Sequence, residues 1–305
     1  MSYDLEELEG RIHAIFHPEP VVGNEGLEFY EMPPLPRLKK EYGLDTSYWK
    51  PYEYGSMSSL MRRAVSPDDP LSDVVKAQQV PRELFFGTLR LFADSIVAHH
   101  GEKERSGPYR FYPAILASAW ASFEAYVRIY SELLARTVKS LPVPVEEGLL
   151  EVEAFLDDQG RIQKRRKPQP LLGRYRWLLK FGYGCDYDRG SRIWQMGEAA
   201  LRARHELVHY EIRGMPSLKA NQLWEHLEAI LLLLIGPSAQ IGRSVVPDLY
   251  ELYGVLCELQ PLLEEYEEMP NFKYFEMELG GVMFPCPFDG VDDAVFPHFG
   301  HKDGR

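Results

Sequence analysis

Apolar side chains recur at helical spacing along four stretches in the middle of the chain. The clearest stretch is residues 113–140, where six apolar positions share one face of a helix: Leu116, Trp120, Phe123, Val127, Tyr130 and Leu134. Residues 81–101 begin on proline and end on glycine, the usual asymmetry of helix boundaries. Two more helices are predicted, from about Asp188 to Gly214 and over residues 217–236. We find no strand-turn-strand series between about 80 and 245, so the pattern predicts an all-α helical bundle.

The two ends of the chain lack this periodicity. Residues 1–75 are rich in proline and aromatic residues, which predicts an irregular N-terminal extension with no regular helix beyond Tyr3–Phe16. Residues 246–305 contain 13 acidic and 3 basic side chains and are predicted to form a C-terminal helix followed by an acidic tail. The expected organisation is therefore an extension (1–75), a helical bundle (76–245) and a C-terminal helix with its tail (246–305).

Composition narrows the class of protein. The chain has 305 residues, of which 45% are apolar, as in ordinary globular proteins. Its longest apolar run, Ala229–Gly236, is far shorter than the roughly 20 residues of a membrane span. The acidic N-terminus lacks the basic and then apolar order of a secretory signal. We therefore expect a cytoplasmic protein without membrane contact. The net charge of −12 resides mainly in the tail, so it says little about the central bundle.

The stretch LRARHELVHYEIRG, residues 201–214, admits two interpretations. Beginning at His205 the pattern is H-E-x-x-H, in which two histidines one helical turn apart bind zinc and Glu206 polarises a water. A third ligand would be required, and Glu228, 19 residues after His209, has a suitable spacing for a zinc metallopeptidase. The charged helix ahead of the motif and the lack of an upstream sheet weaken this alternative. We therefore predict no metal site and no cofactor.

Beginning at Arg204, the same residues contain an arginine, a polar residue and a histidine. Arg204 and His209 are five residues apart, about 140° around a helix, so they converge only near the helix end or across a symmetric dimer. Such a pair needs no metal, because histidine moves a proton near neutral pH and a guanidinium stabilises phosphate charge. Side chains in the last turn of a helix also often cap its carbonyls, and this structural alternative stays open.

The pattern R-H-x-x-x-H resembles the R-polar-x-x-x-H signature of the HEPN (higher eukaryotes and prokaryotes nucleotide-binding) superfamily. These helical-bundle proteins include many RNases of toxin–antitoxin, abortive-infection and other defence systems. The stretch ASAWASFEAYVRIY resembles an earlier helix of the superfamily, which has an aromatic-Glu pattern in several branches. The apolar helix after the motif fits the last helix of the bundle. The resemblance covers about residues 80–245.

This resemblance implies a metal-independent endoribonuclease that cleaves single-stranded RNA through its 2′-hydroxyl and leaves a 2′,3′-cyclic phosphate. It implies that Arg204 and His209 are the catalytic pair, that His205 is the polar companion and that Glu124 orients the arginine from the facing helix. It also implies a homodimer and, in a defence setting, an antitoxin or other protein partner. Some members of the superfamily have lost catalysis, so a helical dimerisation or binding module stays an alternative.

A basic segment between the Glu124 helix and the motif favours RNA as a partner. Residues 161–180 contain eight basic and no acidic side chains. Lysine and arginine contacts to phosphates supply most nonspecific nucleic-acid affinity, and aromatic rings among them stack on unpaired bases. We predict that six of these basic residues contact RNA: Lys164, Arg165, Arg166, Lys167, Arg174 and Arg176. The structural alternative is a solvated loop.

Overall fold

The computed structural model describes most of the central chain and parts of both ends. The described residues are 5–17, 21–22, 28–29, 36–44, 79–101, 111–208, 218, 220–241, 249–267, 276–279 and 282–285. These ranges contain nine α-helices: α1 Leu5–Phe16, α2 Pro36–Tyr42, α3 Val80–Gly101, α4 Tyr112–Thr137, α5 Val143–Leu149, α6 Leu171–Leu178, α7 Arg192–Val208, α8 Ala220–Ile241 and α9 Leu249–Glu267. A single π-helical turn, Leu179–Tyr183, extends α6. The described part of the chain is therefore mostly helical, as the apolar pattern predicts.

Helix α4 lies at the centre of the bundle, in contact with α3, α6, α7 and α8. The apolar stripe predicted from the sequence is confirmed as its inner face: Leu116, Trp120, Phe123 and Val127 are fully buried, Leu134 is nearly so and Tyr130 packs against the core. Helix α9 packs on α3 and α8 and adds to the same core. Within the described ranges, no helix is both long enough and apolar enough to cross a membrane.

Short antiparallel hairpins accompany the helices. The strands pair as β1 Val21–Val22 with β2 Glu28–Phe29, β3 Val152–Leu156 with β4 Ile162–Arg166, and β5 Glu276–Leu279 with β6 Val282–Pro285. The β3–β4 hairpin is one strand-turn-strand unit in the range of about 80–245, where the sequence predicted no such series. The side chain of Asp157 accepts hydrogen bonds from the N–H groups of Gln159 and Arg161, and Gly160 takes a left-handed φ of 73°. These turn residues close a hairpin even though its strands are mostly exposed.

Two helices of the N-terminal region pack on the bundle, where only one was predicted. Helix α1 confirms the predicted N-terminal helix, and its apolar face is buried against α3 and α9. Helix α2 begins at Pro36, whose fixed φ suits the first turn of a helix. Leu38 on α2 is fully buried. The prediction of no further helix is therefore wrong, because burial of this helix of about two turns outweighs its weak local signal.

Helix α8 continues past the glycine and proline at which the apolar pattern ends. Pro237 has no N–H, so the carbonyl of Leu233, four residues earlier, loses its helical partner. The buried Tyr175 hydroxyl donates a hydrogen bond to this carbonyl, and the Tyr187 hydroxyl donates to the Leu232 carbonyl at 3.2 Å. Because an unpaired buried carbonyl is costly, the Tyr175 hydroxyl stabilises the continuous helix.

Replacing Tyr175 by phenylalanine is expected to lower the free energy of unfolding by about 1–3 kcal/mol, because the Leu233 carbonyl is left buried without a donor. Urea denaturation monitored by circular dichroism measures this change. The matched control is Tyr130→Phe, since the Tyr130 hydroxyl has no hydrogen-bond partner among the described residues; a change below about 0.5 kcal/mol is expected there. Equal stability of the two variants would contradict the role of Tyr175.

Candidate functional site

Arg204 and Glu124 meet across the contact between α7 and α4. The Trp120 indole N–H on α4 donates a hydrogen bond to the Ala200 carbonyl on α7 at 3.2 Å. One turn further along both helices, Arg204 Nη2 lies 3.3 Å from Glu124 Oε1. Because residues four apart share a helical face, the buried Trp120 contact sets the register in which the two charged side chains pair. The structure therefore places Glu124 on the helix facing the arginine.

The Arg204 side chain emerges from the inner face of α7 rather than from its solvent side. At 100° per residue it lies close to Gly197 and Ala200 in angle, and both of these residues are buried. Its side chain is 31% exposed, and Glu124 is 45% exposed. The Nε atom of Arg204 is buried and finds no hydrogen-bond acceptor among the described residues. Because Nε is closed to solvent, the donors that a phosphate could reach are those in the exposed part of the guanidinium.

The two histidines of the motif differ in what the structure describes. His205 is exposed on α7, next to the exposed Glu206. Helix α7 is described to Val208, so His209 lies outside the described residues, as does the predicted end of this helix near Gly214. The convergence of Arg204 with His209 therefore stays a prediction from the sequence.

Glu228, the third ligand of the zinc alternative, is held in a buried cluster with other partners. Its carboxylate accepts hydrogen bonds from Tyr42 at 2.8 Å and from Tyr253 at 2.9 Å, and Arg37 Nε lies 3.3 Å away. Burial raises the pKa of Glu228, while the hydrogen bond from Tyr42 and the charge of Arg37 act in the opposite direction. The cluster connects α2 to α8 and α9, and this explains why helix α2 packs on the bundle.

This cluster lies towards the opposite end of α7 from the motif. Glu228 lines a cleft of about 310 Å³ together with Arg192 and Met196 from the first half of α7. His205 is nine residues beyond Met196, or about 13 Å along the helix axis. No group of three or more potential metal ligands occurs among the described residues. Glu228 therefore lies beside the first half of α7, away from the turn that carries His205.

Most of the basic segment is neutralised by acidic side chains that precede it in the chain. On the hairpin, Glu153 accepts from Arg165 at 2.7 Å and from Lys167 at 2.6 Å, and these hydrogen bonds lower the pKa of Glu153. The Arg161 and Asp157 side chains pair at 3.0 Å. Among the described residues, Lys164 is the one basic side chain of β4 without an ion pair. The positive field inferred from residues 161–180 is therefore weaker on the hairpin than the sequence indicates.

Arg174 and Arg176 project from α6 into different surroundings. Arg174 is 8% exposed; it donates to the Leu149 carbonyl at 3.0 Å and lies 3.3 Å from Glu151. Arg166 approaches the same Glu151 at 3.7 Å. Arg176 is more exposed and donates twice to Asp186, at 2.9 and 3.2 Å. Arg174 therefore fastens the hairpin to the bundle, whereas Arg176 stands at the surface.

The acidic partners of the basic segment were missed by sequence reasoning. The available signal was the short run VEAFL, with its valine and phenylalanine, directly before the turn residues DDQG, a combination typical of a strand entering a hairpin. Pairing the two strands would have placed Glu153 opposite Arg165, as the register shows.

Comparison of the chain with protein-family models, with curated proteins and with solved structures gives no match.

Proposed function

We propose that this protein is a metal-independent endoribonuclease of HEPN type that cleaves single-stranded RNA. The observation that carries the proposal is the contact between Arg204 and Glu124 at the α7–α4 interface, which holds a partly exposed guanidinium in a fixed position on the motif helix. A carboxylate that fixes one edge of a guanidinium leaves the rest of the fork for a phosphate. The helical bundle around the R-H-x-x-x-H motif further supports the proposal.

The proposed reaction is an internal transfer at phosphorus. The 2′-oxygen of the RNA forms a bond to phosphorus, the bond from phosphorus to the 5′-oxygen breaks, and a 2′,3′-cyclic phosphate results. A proton leaves the 2′-hydroxyl and another reaches the 5′-oxygen, and His209 acts as general base or general acid in this exchange. Arg204 stabilises the charge that grows on the phosphoryl oxygens. Glu124 is a positioning residue, and His205 is the polar companion of the pair.

A homodimer and an RNA substrate belong to this proposal. Arg204 and His209 are separated by about 140° around a helix, so a second copy of the chain would supply additional groups if the two side chains do not converge within one. The proposal needs no metal ligand, and the placement of Glu228 away from His205 is compatible with it.

The first test is RNA cleavage by the full chain and by His209→Ala. We expect the unmodified chain to cut single-stranded RNA in the presence of EDTA and to leave cyclic phosphate ends. Loss of the proton-transfer group is expected to lower the rate about 10²- to 10⁴-fold without unfolding the protein. Gel electrophoresis of end-labelled RNA measures the rate, and circular dichroism measures folding.

The matched control is His13→Ala, which removes an exposed histidine from α1 and is expected to keep full activity. Full activity of His209→Ala would overturn the assignment. Peptide hydrolysis that EDTA abolishes, dependent on His205 but independent of Arg204, would establish the zinc peptidase instead. A folded dimer without turnover of RNA or peptide would indicate a binding module.

A further inference from the structure

A cleft beside the basic segment has a net positive charge when the side chains that the structure describes are counted. The cleft, of about 320 Å³, lies beside α6 and the π-helical turn, and its lining includes Arg176, Lys180 and Arg189 as cations and Asp186 as the acidic group. Arg176 pairs with Asp186 and lowers the pKa of this carboxyl group. Lys180 and Arg189 have no ion pair among the described residues. The cleft therefore carries two uncompensated positive charges, in contrast to the neutralised hairpin.

An aromatic ring stands in the same cleft. Trp177 is partly buried, and its six-membered ring packs directly on Gly148 of α5. A Cβ atom at Gly148 would lie 1.7 Å from Trp177, so only glycine permits this position of the ring. The ring is thus held in place by α5 while it lines the cleft. A fixed aromatic ring beside unpaired cations is the combination that binds a base and its phosphate in single-stranded nucleic acid.

Helix α7 begins near this cleft and carries the motif at its other end. The guanidinium of Arg176 lies 6.0 Å from the ring of Trp194, near the start of α7. Trp194 donates a hydrogen bond to Glu198 at 2.7 Å, one turn further on. His205 lies eleven residues after Trp194, which places it on the same face of the helix, about 16 Å along the axis. This face is buried at Trp194, beside the cleft, and exposed at His205, and the two residues are separated by the length of a few nucleotides.

We propose that this cleft binds a nucleotide of the single-stranded RNA at a distance from the cleavage position. Lys180 and Arg189 contact backbone phosphates, Trp177 stacks on an unpaired base, and the strand continues along α7 towards Arg204. This inference rests on the proposed ribonuclease function. The principal RNA contact is then this cleft rather than the cations of the hairpin. The cleft includes Arg189, which lies outside the basic segment of the sequence.

The experiment measures RNA binding separately from cleavage. The full chain carrying His209→Ala is titrated into a fluorescein-labelled single-stranded RNA of about 12 nucleotides, and binding is followed by fluorescence anisotropy at several salt concentrations. Adding Lys180→Gln and Arg189→Gln is expected to weaken binding about tenfold or more. The slope of log affinity against log salt should fall in magnitude by about 1.4, the value for two phosphate contacts on a single strand. Adding Trp177→Leu instead is expected to weaken binding at least about fivefold.

The charge-matched control is Lys39→Gln with Lys40→Gln, two exposed lysines on α2, which should leave affinity and slope unchanged. Equal losses in both double variants would overturn the inference, as would unchanged affinity after substitution of Lys180 and Arg189. If polyglutamate binds with the same affinity and the same dependence on the cleft residues, the ligand of the cleft is an acidic peptide rather than RNA. Cleavage that depends on Arg204, found together with RNA affinity that ignores the cleft, would remove this inference and leave the proposed function standing.

Discussion

Replacing Arg204 by alanine is expected to lower the rate of RNA cleavage about 10³-fold. The guanidinium is the proposed stabiliser of the charge that develops on the phosphoryl oxygens, and removal of such a group typically has effects of this size. Arg204→Lys keeps the charge but loses the planar fork, so only partial activity is expected. Initial rates on an end-labelled RNA oligonucleotide, at saturating and at low substrate, separate kcat from KM.

Folding does not explain such a loss, because the ion pair with Glu124 is partly exposed. Pairs of this kind contribute about 0–1 kcal/mol, so the variant should unfold at nearly the same urea concentration as the parent protein. Arg202→Ala is the matched control, since it removes an exposed arginine two residues away on the same helix. Its activity should stay within about threefold of the parent value. Cleavage by Arg204→Ala at the parent rate would overturn the proposed mechanism.

The role of Glu124 is tested through the same reaction. Glu124→Gln is expected to lower kcat about tenfold with little change in KM, because it loosens the arginine without removing it. In the Arg204→Ala background the same substitution should have no further effect, since a positioning residue acts only through the group that it positions. Additive losses in the double variant would show that Glu124 acts independently of the arginine.

Gly236→Ala is expected to destabilise the protein by about 3 kcal/mol, although alanine favours helices over glycine by about 1 kcal/mol. A Cβ atom at Gly236 would lie 1.3 Å from the Tyr187 hydroxyl, which therefore has to move. Tyr187 is 4% exposed and donates to the Leu232 carbonyl, so its displacement loses a buried hydrogen bond and crowds the core. Urea denaturation of both proteins measures the difference.

The control for this prediction is Gly87→Ala on α3, where an added Cβ would meet no atom within 4 Å. Here only the helix preference of alanine over glycine acts, so the free energy of unfolding should rise by up to about 1 kcal/mol. Combining Gly236→Ala with Tyr187→Phe removes the atom of closest approach. The double variant should therefore be more stable than the sum of the single effects. If Gly236→Ala were more stable than the parent protein, Tyr187 would not exclude a side chain at this position.

The helices that build the bundle could be predicted from the sequence because their signal is local. Six apolar residues in α4 repeat every three or four positions, and any packing of this chain has to bury them. The bundle therefore follows from periodicity. The β3–β4 hairpin was missed because its strands are short and exposed, so that burial imposes little alternation on them. Helix α2 was missed for a related reason, since seven residues carry too little periodicity to identify a helix.

The sequence by itself determined the apolar faces of the long helices and the residues offered by the motif, whereas tertiary structure decided which charges meet. Arg37 and Glu228 are 191 residues apart in the chain, and Glu124 pairs with Arg204 only because Trp120 fixes the register of two helices. Likewise, an acidic residue of the preceding strand neutralises hairpin cations, whereas Lys180 and Arg189 of the cleft have no ion pair among the described residues. The physical reason is that periodic burial acts over a few neighbouring residues, whereas an ion pair requires two distant backbones to be packed a few ångströms apart.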